Sequence, residues 1–250
     1  MRAIKAVLSD MDGTLVDSEL EHAKAWDVVL AKYGLLMPEG WQDDCIGMPE
    51  EHALAKINSI HPHMEAVPDL IEQRQACYFE HVKKHGMEMV YPGIFGLLQD
   101  LADTELKMAI ITNSVSECAQ KVMDATGLDR YFSFIITKDM VKHGKPEPEI
   151  YLAGAAKLGI RPDECVVIED SPAGIIAGKA AGCLVLGVKN NTDGSELGKA
   201  DVIFDRSRDA MAWVLAKRTR SQSLRRVVNS VKPVRVEAVS TRFVYSPVTV

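Results

Sequence analysis

The sequence predicts an α/β fold: a parallel sheet covered on both faces by helices, with a helical module inserted after the first strand. Three observations carry that prediction. From Tyr91 onward, short apolar runs alternate with segments of helical period. The run Ile4 to Ser9 reads as one more buried strand, set apart by about seventy residues that carry helical patterns and no convincing strand. Polar clusters also follow the apolar runs, at the places where strands of such a sheet would end.

The elements follow in order. After strand 4–9, a helix is expected from Glu19 to Tyr33, with Ala23, Trp26, Leu30 and Tyr33 at helical spacing and Gly34 beyond its end. Residues 38–50 are broken by Pro38, Gly40, Gly47 and Pro49 and read as a loop. Ala53, Leu54 and Ile57 mark a second helix that ends near His61-Pro62, and a third covers Asp69 to Lys84, stopped by Gly86. A helix at 94–102 then leads to strand 108–111, and helix 116–125 to strand 134–137. Helix 148–158 precedes strand 165–168, and a helix opened by Pro172 runs to Gly182. Strands 184–188 and 202–204 complete the pattern. The resulting division is a core of residues 1–16 and 90–216, a helical cap of 17–89, and a tail of 217–250.

Composition excludes several classes. The chain has 250 residues, 47% hydrophobic and 26% charged, which is enough apolar material for a sizeable core. Its net charge of −6 gives no reason to expect nucleic acid. No apolar run approaches a membrane span, and the first residues lead into a strand rather than a secretion signal. Five dispersed cysteines without a CxxC pair suit reduced thiols and a cytoplasmic location. The tail is different, with eight basic side chains against Glu237 alone. It reads as an appended, poorly ordered segment rather than a nucleic-acid arm, although Val227-Val228 and Phe243 to Tyr245 have the composition of edge strands. His61-Pro62-His63 lacks nearby thiolates, so it reads as surface loop rather than a zinc site. A monomer is the expectation for the assembly.

The strand ends hold the chemistry. Asp10 and Asp12 follow the first strand two residues apart, an arrangement that calls for a cation or a raised pKa. One carboxylate suits a nucleophile and the other an acid/base. Thr112-Asn113-Ser114 follows the second strand and opens a helix, a place that favours anions, although Asn113 or Ser114 could simply cap that helix. Lys145, between Gly144 and Pro146, offers a fixed positive charge to a phosphoryl oxygen. Glu169-Asp170 forms a second acidic pair ahead of Ser171-Pro172, where helix capping accounts for one acid but not both. Acids from two strand ends can hold a hard divalent cation such as Mg²⁺.

These motifs resemble those of the haloacid dehalogenase superfamily. Asp10-Met11-Asp12-Gly13-Thr14-Leu15-Val16-Asp17-Ser18 is similar to its first motif, with Thr112, Lys145 and Glu169-Asp170 at the second, third and fourth. The stretch from Glu169 to Gly182 resembles the branch containing β-phosphoglucomutase and many sugar-phosphate phosphatases. The resemblance spans about residues 1–215. It implies a Rossmann-like core with a helical cap. It also implies Mg²⁺ held by the side chains of Asp10 and Asp170, the main-chain carbonyl of Asp12 and, through water, Glu169. Asp10 would carry an aspartyl-phosphate, Asp12 would act as acid/base, and Thr112, Asn113 and Lys145 would bind the transferring phosphoryl group. Asp12 argues for phosphoryl transfer over dehalogenation. A phosphonate hydrolase would need a cap lysine, and Lys24, Lys32 and Lys56 lack a matching context.

Phosphatase and mutase remain to be separated. His22 stands where β-phosphoglucomutases carry a cap histidine, yet Gly47-Met48-Pro49-Glu50 puts a glutamate where the mutase cap has an arginine. A carboxylate there would repel a second phosphate. The expectation is therefore a Mg²⁺-dependent phosphatase acting on a small phosphorylated metabolite, a sugar or polyol phosphate. His22 and Trp41 are the cap residues expected near the substrate, with packing in the cap core as the alternative for Trp41.

Overall fold

A computed structural model describes residues 3–41, 50–190 and 192–230. Six strands are present among them: β1 (Ala6–Ser9), β2 (Lys107–Ile111), β3 (Ile135–Ile136), β4 (Cys165–Glu169), β5 (Leu184–Val188) and β6 (Val202–Phe204). All pair in parallel, in the order β3-β2-β1-β4-β5-β6. The helices are α1 (Ser18–Lys32), α2 (Glu50–Ile60), α3 (Leu70–Met89), α4 (Ile94–Ala102), α5 (Ser116–Thr126), α6 (Glu149–Leu158), α7 (Pro172–Ala180) and α8 (Ser207–Ser230).

The sheet is buried on both faces, which is why its strands read as apolar runs rather than alternating ones. Successive residues still point to opposite sides. Val7, Met108, Ile110, Val166 and Ile168 pack on one face with side chains of α4, α5 and α8, such as Leu98, Val122 and Met211. Leu8, Ala109, Ile111 and Val167 pack on the other with Ile150 and Tyr151 of α6 and Ile175 of α7. The chain builds from β1 through β2 to β3, then crosses back to place β4 on the other side of β1. The strand order therefore reverses beside β1, and a crevice opens there at the carboxyl ends of β1, β2 and β4.

The helical insertion leaves and returns side by side. Asp17 N–H donates to the Met89 carbonyl at 2.8 Å, and Tyr91 N–H to that of Leu15 at 3.1 Å. The inserted helices have an apolar cluster of their own, including Trp26, Val29, Leu30, Trp41, Ile57, Met64 and Leu70. Helix α3 belongs to both bodies: Leu70 lies in that cluster, whereas Tyr78, Val82 and Met89 lie in the core beneath the sheet.

Two expectations are corrected. Helix α3 does not stop at Gly86 but continues to Met89. A Cβ at Gly86 would lie 2.4 Å from the Ala125 Cβ of α5, so the glycine serves close helix approach rather than termination. Helix α8 also runs past Ala216, the expected end of the core, as far as Ser230. Arg218 donates to Glu105 at 2.7 Å, and the Lys217 ammonium lies 4.9 Å from the centre of the Trp213 ring. Val227-Val228 is helical, not an edge strand. Residues 231–250 lie outside the described residues. No helix among those described is long and apolar enough to cross a membrane.

Candidate active site

Asp10 extends the first strand by one ladder bond, its N–H donating to the Ile168 carbonyl at 2.9 Å. Thr112 does the same after β2, donating to the Ile136 carbonyl at 2.9 Å. Sheet pairing therefore sets where these side chains emerge. Lys145 is buried and forms ion pairs with both Asp10 and Glu169. Glu169, the fully buried last residue of β4, also accepts from Tyr151 Oη at 2.9 Å, Ser171 Oγ at 2.9 Å and Ser171 N–H at 3.0 Å. Asp170 accepts from Thr14 Oγ1 at 3.1 Å. Ser171 does cap α7, accepting from Gly174 N–H at 3.1 Å, which leaves both acids for other work.

Ligand oxygens of Asp10, Glu169 and Asp170 lie within 4.8 Å of one another. Among the described residues, Lys145 opposes that concentration of charge at contact distance. Burial pushes the Asp10 carboxyl up to about 8; Lys145 works against this, while the charges of Glu169 and Asp12 add to it. Asp170 is raised well above the usual carboxylate range by burial, then by Asp10 and Glu169. Burial alone would lower Lys145, but the two carboxylates it touches hold it above the usual lysine value. Three crowded acids with hard oxygen donors suit a hard cation, and the observed set fits one.

Asp12 is treated differently. Its carboxylate accepts from Ser18 Oγ at 2.6 Å, Ser114 Oγ at 2.6 Å and Thr112 Oγ1 at 3.2 Å. It stands outside the three-acid cluster, held by three hydroxyls from two parts of the chain.

This geometry agrees with what comparison with known proteins finds. The profile of the haloacid dehalogenase-like hydrolases matches residues 4–182. The chain belongs to this family. It is 34% identical to hexitol phosphatase A of Escherichia coli (strain K12) over 207 residues, covering 80% of this chain and 90% of that one. It is 33% identical to fructose-1-phosphate phosphatase YqaB of the same organism over 185 residues, covering 70% of this chain and 92% of the relative. Among solved structures, β-phosphoglucomutase from Clostridium difficile superposes with a TM-score of 0.67 at 25% identity, covering 88% of this chain and 99% of that one.

Within this haloacid dehalogenase-like hydrolase, two expected residues are engaged elsewhere. The Asn113 side chain is tied to the backbone of Lys145. Its Nδ2 donates to the Lys145 carbonyl at 3.0 Å and its Oδ1 accepts from Lys145 N–H at 2.9 Å, so it clamps the lysine's backbone. Trp41 is buried in the cap cluster, with its indole N–H donating to Asp27 at 3.2 Å. It lines a cavity of about 350 Å³ with Leu30, Leu36 and Pro38, away from the strand-end acids. Gly47, Met48 and Pro49 lie outside the described residues, as does the side chain of Glu50.

His22 lies in α1 and stacks on Tyr78, with ring centroids 3.9 Å apart and planes inclined by 9°. Its Nδ1 accepts from Arg74 of α3. Burial, then the Arg74 charge, lowers its pKa to about 3, so the ring is neutral at ordinary pH. Arg74 is itself buried, with its guanidinium 5.8 Å from the centre of the Trp26 ring. Its neighbour Gln75 donates to Cys118 Sγ of α5 at 3.7 Å, so this part of the cap faces the core. Sequence reasoning missed Arg74, Tyr151 and Ser114 as working residues. Ser114 was within reach, since it stands two residues beyond Thr112. Arg74 left no local signal.

Proposed function

We propose that this hydrolase is a Mg²⁺-dependent phosphatase for a small phosphorylated metabolite, a sugar or polyol phosphate, working through an aspartyl-phosphate on Asp10. The observation that carries this reading is the cluster of buried Asp10 and Glu169 with half-buried Asp170 at adjoining strand ends, paired with buried Lys145. The names of the two phosphatases it resembles support the substrate class.

The side chains of Asp10 and Asp170, the main-chain carbonyl of Asp12 and, through water, Glu169 would hold Mg²⁺. When bound, the ion supplies positive charge that screens the acids and stabilises the transferring phosphoryl group. Asp10 attacks phosphorus in line, forming an acyl phosphate as the bond to the leaving oxygen breaks. Asp12 gives its proton to that oxygen. It then takes a proton from water as the water attacks phosphorus, releasing inorganic phosphate and restoring the Asp10 carboxylate. Lys145 holds Asp10 in place and offers its charge to a phosphoryl oxygen. The Thr112 hydroxyl orients Asp12 and lies within the same crevice.

A β-phosphoglucomutase-type reaction is the second reading, favoured by one observation. Arg74 supplies a buried cap cation beside His22, which could receive the second phosphate of a bisphosphorylated intermediate. Products separate the two. A panel of sugar and polyol phosphates, assayed with and without Mg²⁺, should release free phosphate only with the ion and not at all with Asp10→Asn. Equal release by wild type and Asp10→Asn would end the proposal, and an isomeric sugar phosphate in place of free phosphate would favour the mutase.

A further inference from the structure

We propose that Asn190 is a positioning residue for cation binding, acting through the main chain of Gly13; the inference rests on the phosphatase reading of the site. Asn190 follows β5, outside all four strand-end motifs, and is 8% exposed. Its backbone is left-handed, with φ 42°, a conformation that asparagine tolerates better than most residues. Both protons of its amide are used. Nδ2 donates to the Gly13 carbonyl at 2.6 Å and to Ser207 Oγ at 2.7 Å. Oδ1 accepts from Ser207 N–H at 3.0 Å. The main chain is tied as well, with its N–H on the Asp205 carbonyl at 3.0 Å and its carbonyl accepting from Arg206 at 2.5 Å. An amide engaged on every side has no other rotamer open to it.

The grip falls on the Gly13–Thr14 peptide, next to the one that carries the Asp12 carbonyl. Gly13 N–H donates to the Val16 carbonyl at 2.8 Å. A trans peptide is planar, so that bond also sets the direction of the Asp12 carbonyl on the opposite edge. Gly13 has φ 72°, and a Cβ there would lie 1.9 Å from Asp170 Oδ2. The turn therefore meets Asp170 with bare backbone. One side of Gly13 is held within the turn, and the other by a side chain 177 positions away. Without Asn190 the Gly13 carbonyl is released, and among the described contacts the turn that aims the Asp12 carbonyl toward Asp170 keeps the Gly13–Val16 bond but loses its outer tie.

The test measures cation binding without substrate, using the free Mn²⁺ electron paramagnetic resonance signal with Mg²⁺ as competitor. The variants are Asn190→Gly, which keeps the left-handed backbone, and Ser207→Ala, which spares the Gly13 bond. Asn190→Gly should weaken binding by about 10-fold, the scale of outer ligand-orienting contacts, while Ser207→Ala stays within about twofold of wild type. Melting curves in EDTA accompany both, because a merely structural cap on α8 would lower the melting temperature without moving the affinity. If Asn190→Gly does not fold, Asn190→Ser, too short to reach the Gly13 carbonyl, replaces it. Wild-type affinity in the Asn190 variant, or equal weakening by Ser207→Ala, would overturn the inference alone. No cation binding by wild type would overturn both it and the phosphatase reading.

Discussion

The strand-end cluster and the cap are built on opposite plans. At the strand ends, charged groups are buried and paired over long sequence separations: Lys145 reaches Asp10 across 135 positions and Glu169 across 24. Each is anchored by sheet pairing or by a side chain that clamps backbone, as Asn113 does. In the cap, three helices close around an apolar cluster, and the polar groups Arg74 and His22 meet there by ring stacking, cation–π contact and a hydrogen bond to each other. The core thus holds its buried charges on paired or clamped backbone, whereas the cap's polar pair lies among side chains apart from Asp10. Helix α3 is the exception, since it carries one end of the cap and packs its other end into the core.

Removing the cation at the strand ends should have the largest effect. Lys145→Met leaves Asp10 and Glu169 buried without their positive partner, and breaking such a pair costs about 3–5 kcal/mol. Urea denaturation in EDTA measures this loss, and turnover should fall by about 10²-fold or more. An unchanged midpoint would mean that the cluster is not held as described. A smaller effect is expected where cap meets core. Gly86→Ala forces α3 away from α5 and should cost about 1–3 kcal/mol, with Ala125→Gly in the same chain restoring much of it. If Gly86→Ala alters neither melting temperature nor KM, α3 does not couple the two bodies.

The smallest effect at neutral pH belongs to the cap alone. His22 has a folded pKa lowered to about 3 against an ordinary 6.5. The unfolded chain therefore takes up its proton first as pH falls. The stability His22 contributes is complete above about pH 6.5 and declines toward pH 3, by at most about 1.4 kcal/mol per pH unit. His22→Phe, which keeps the stack on Tyr78, should flatten the stability profile between pH 6.5 and 5. An identical slope in both proteins would place the proton elsewhere.

The strand-end acids were legible because each stands within a few residues of an apolar run whose end sequence periodicity can locate, and Lys145 because Gly144 and Pro146 flank it in the loop ahead of α6. Their partners were not. Ser114 meets Asp12 across 102 positions and Asn190 meets Gly13 across 177, distances over which a single sequence carries no pairing signal. Gly86 was misread for a different reason. A glycine that stops a helix and one that lets two helices touch look alike locally, and only Ala125 on the facing helix distinguishes them. Asn113 shows the same limit: a polar residue at a helix start can face a ligand or clamp a loop, and the position of Lys145 decides. Basic composition also suggested that order ends at Ala216, whereas the contact of Arg218 with Glu105 accompanies a helix that continues past it.

The central claim is that phosphoryl transfer passes through Asp10. Its most direct test is acid quenching during turnover of a sugar phosphate carrying labelled phosphorus, followed by peptide mapping. The account predicts label on the peptide containing Asp10, and none on Asp10→Asn. Phosphate release at full rate with no label on the protein, or label retained in Asp10→Asn, would contradict it.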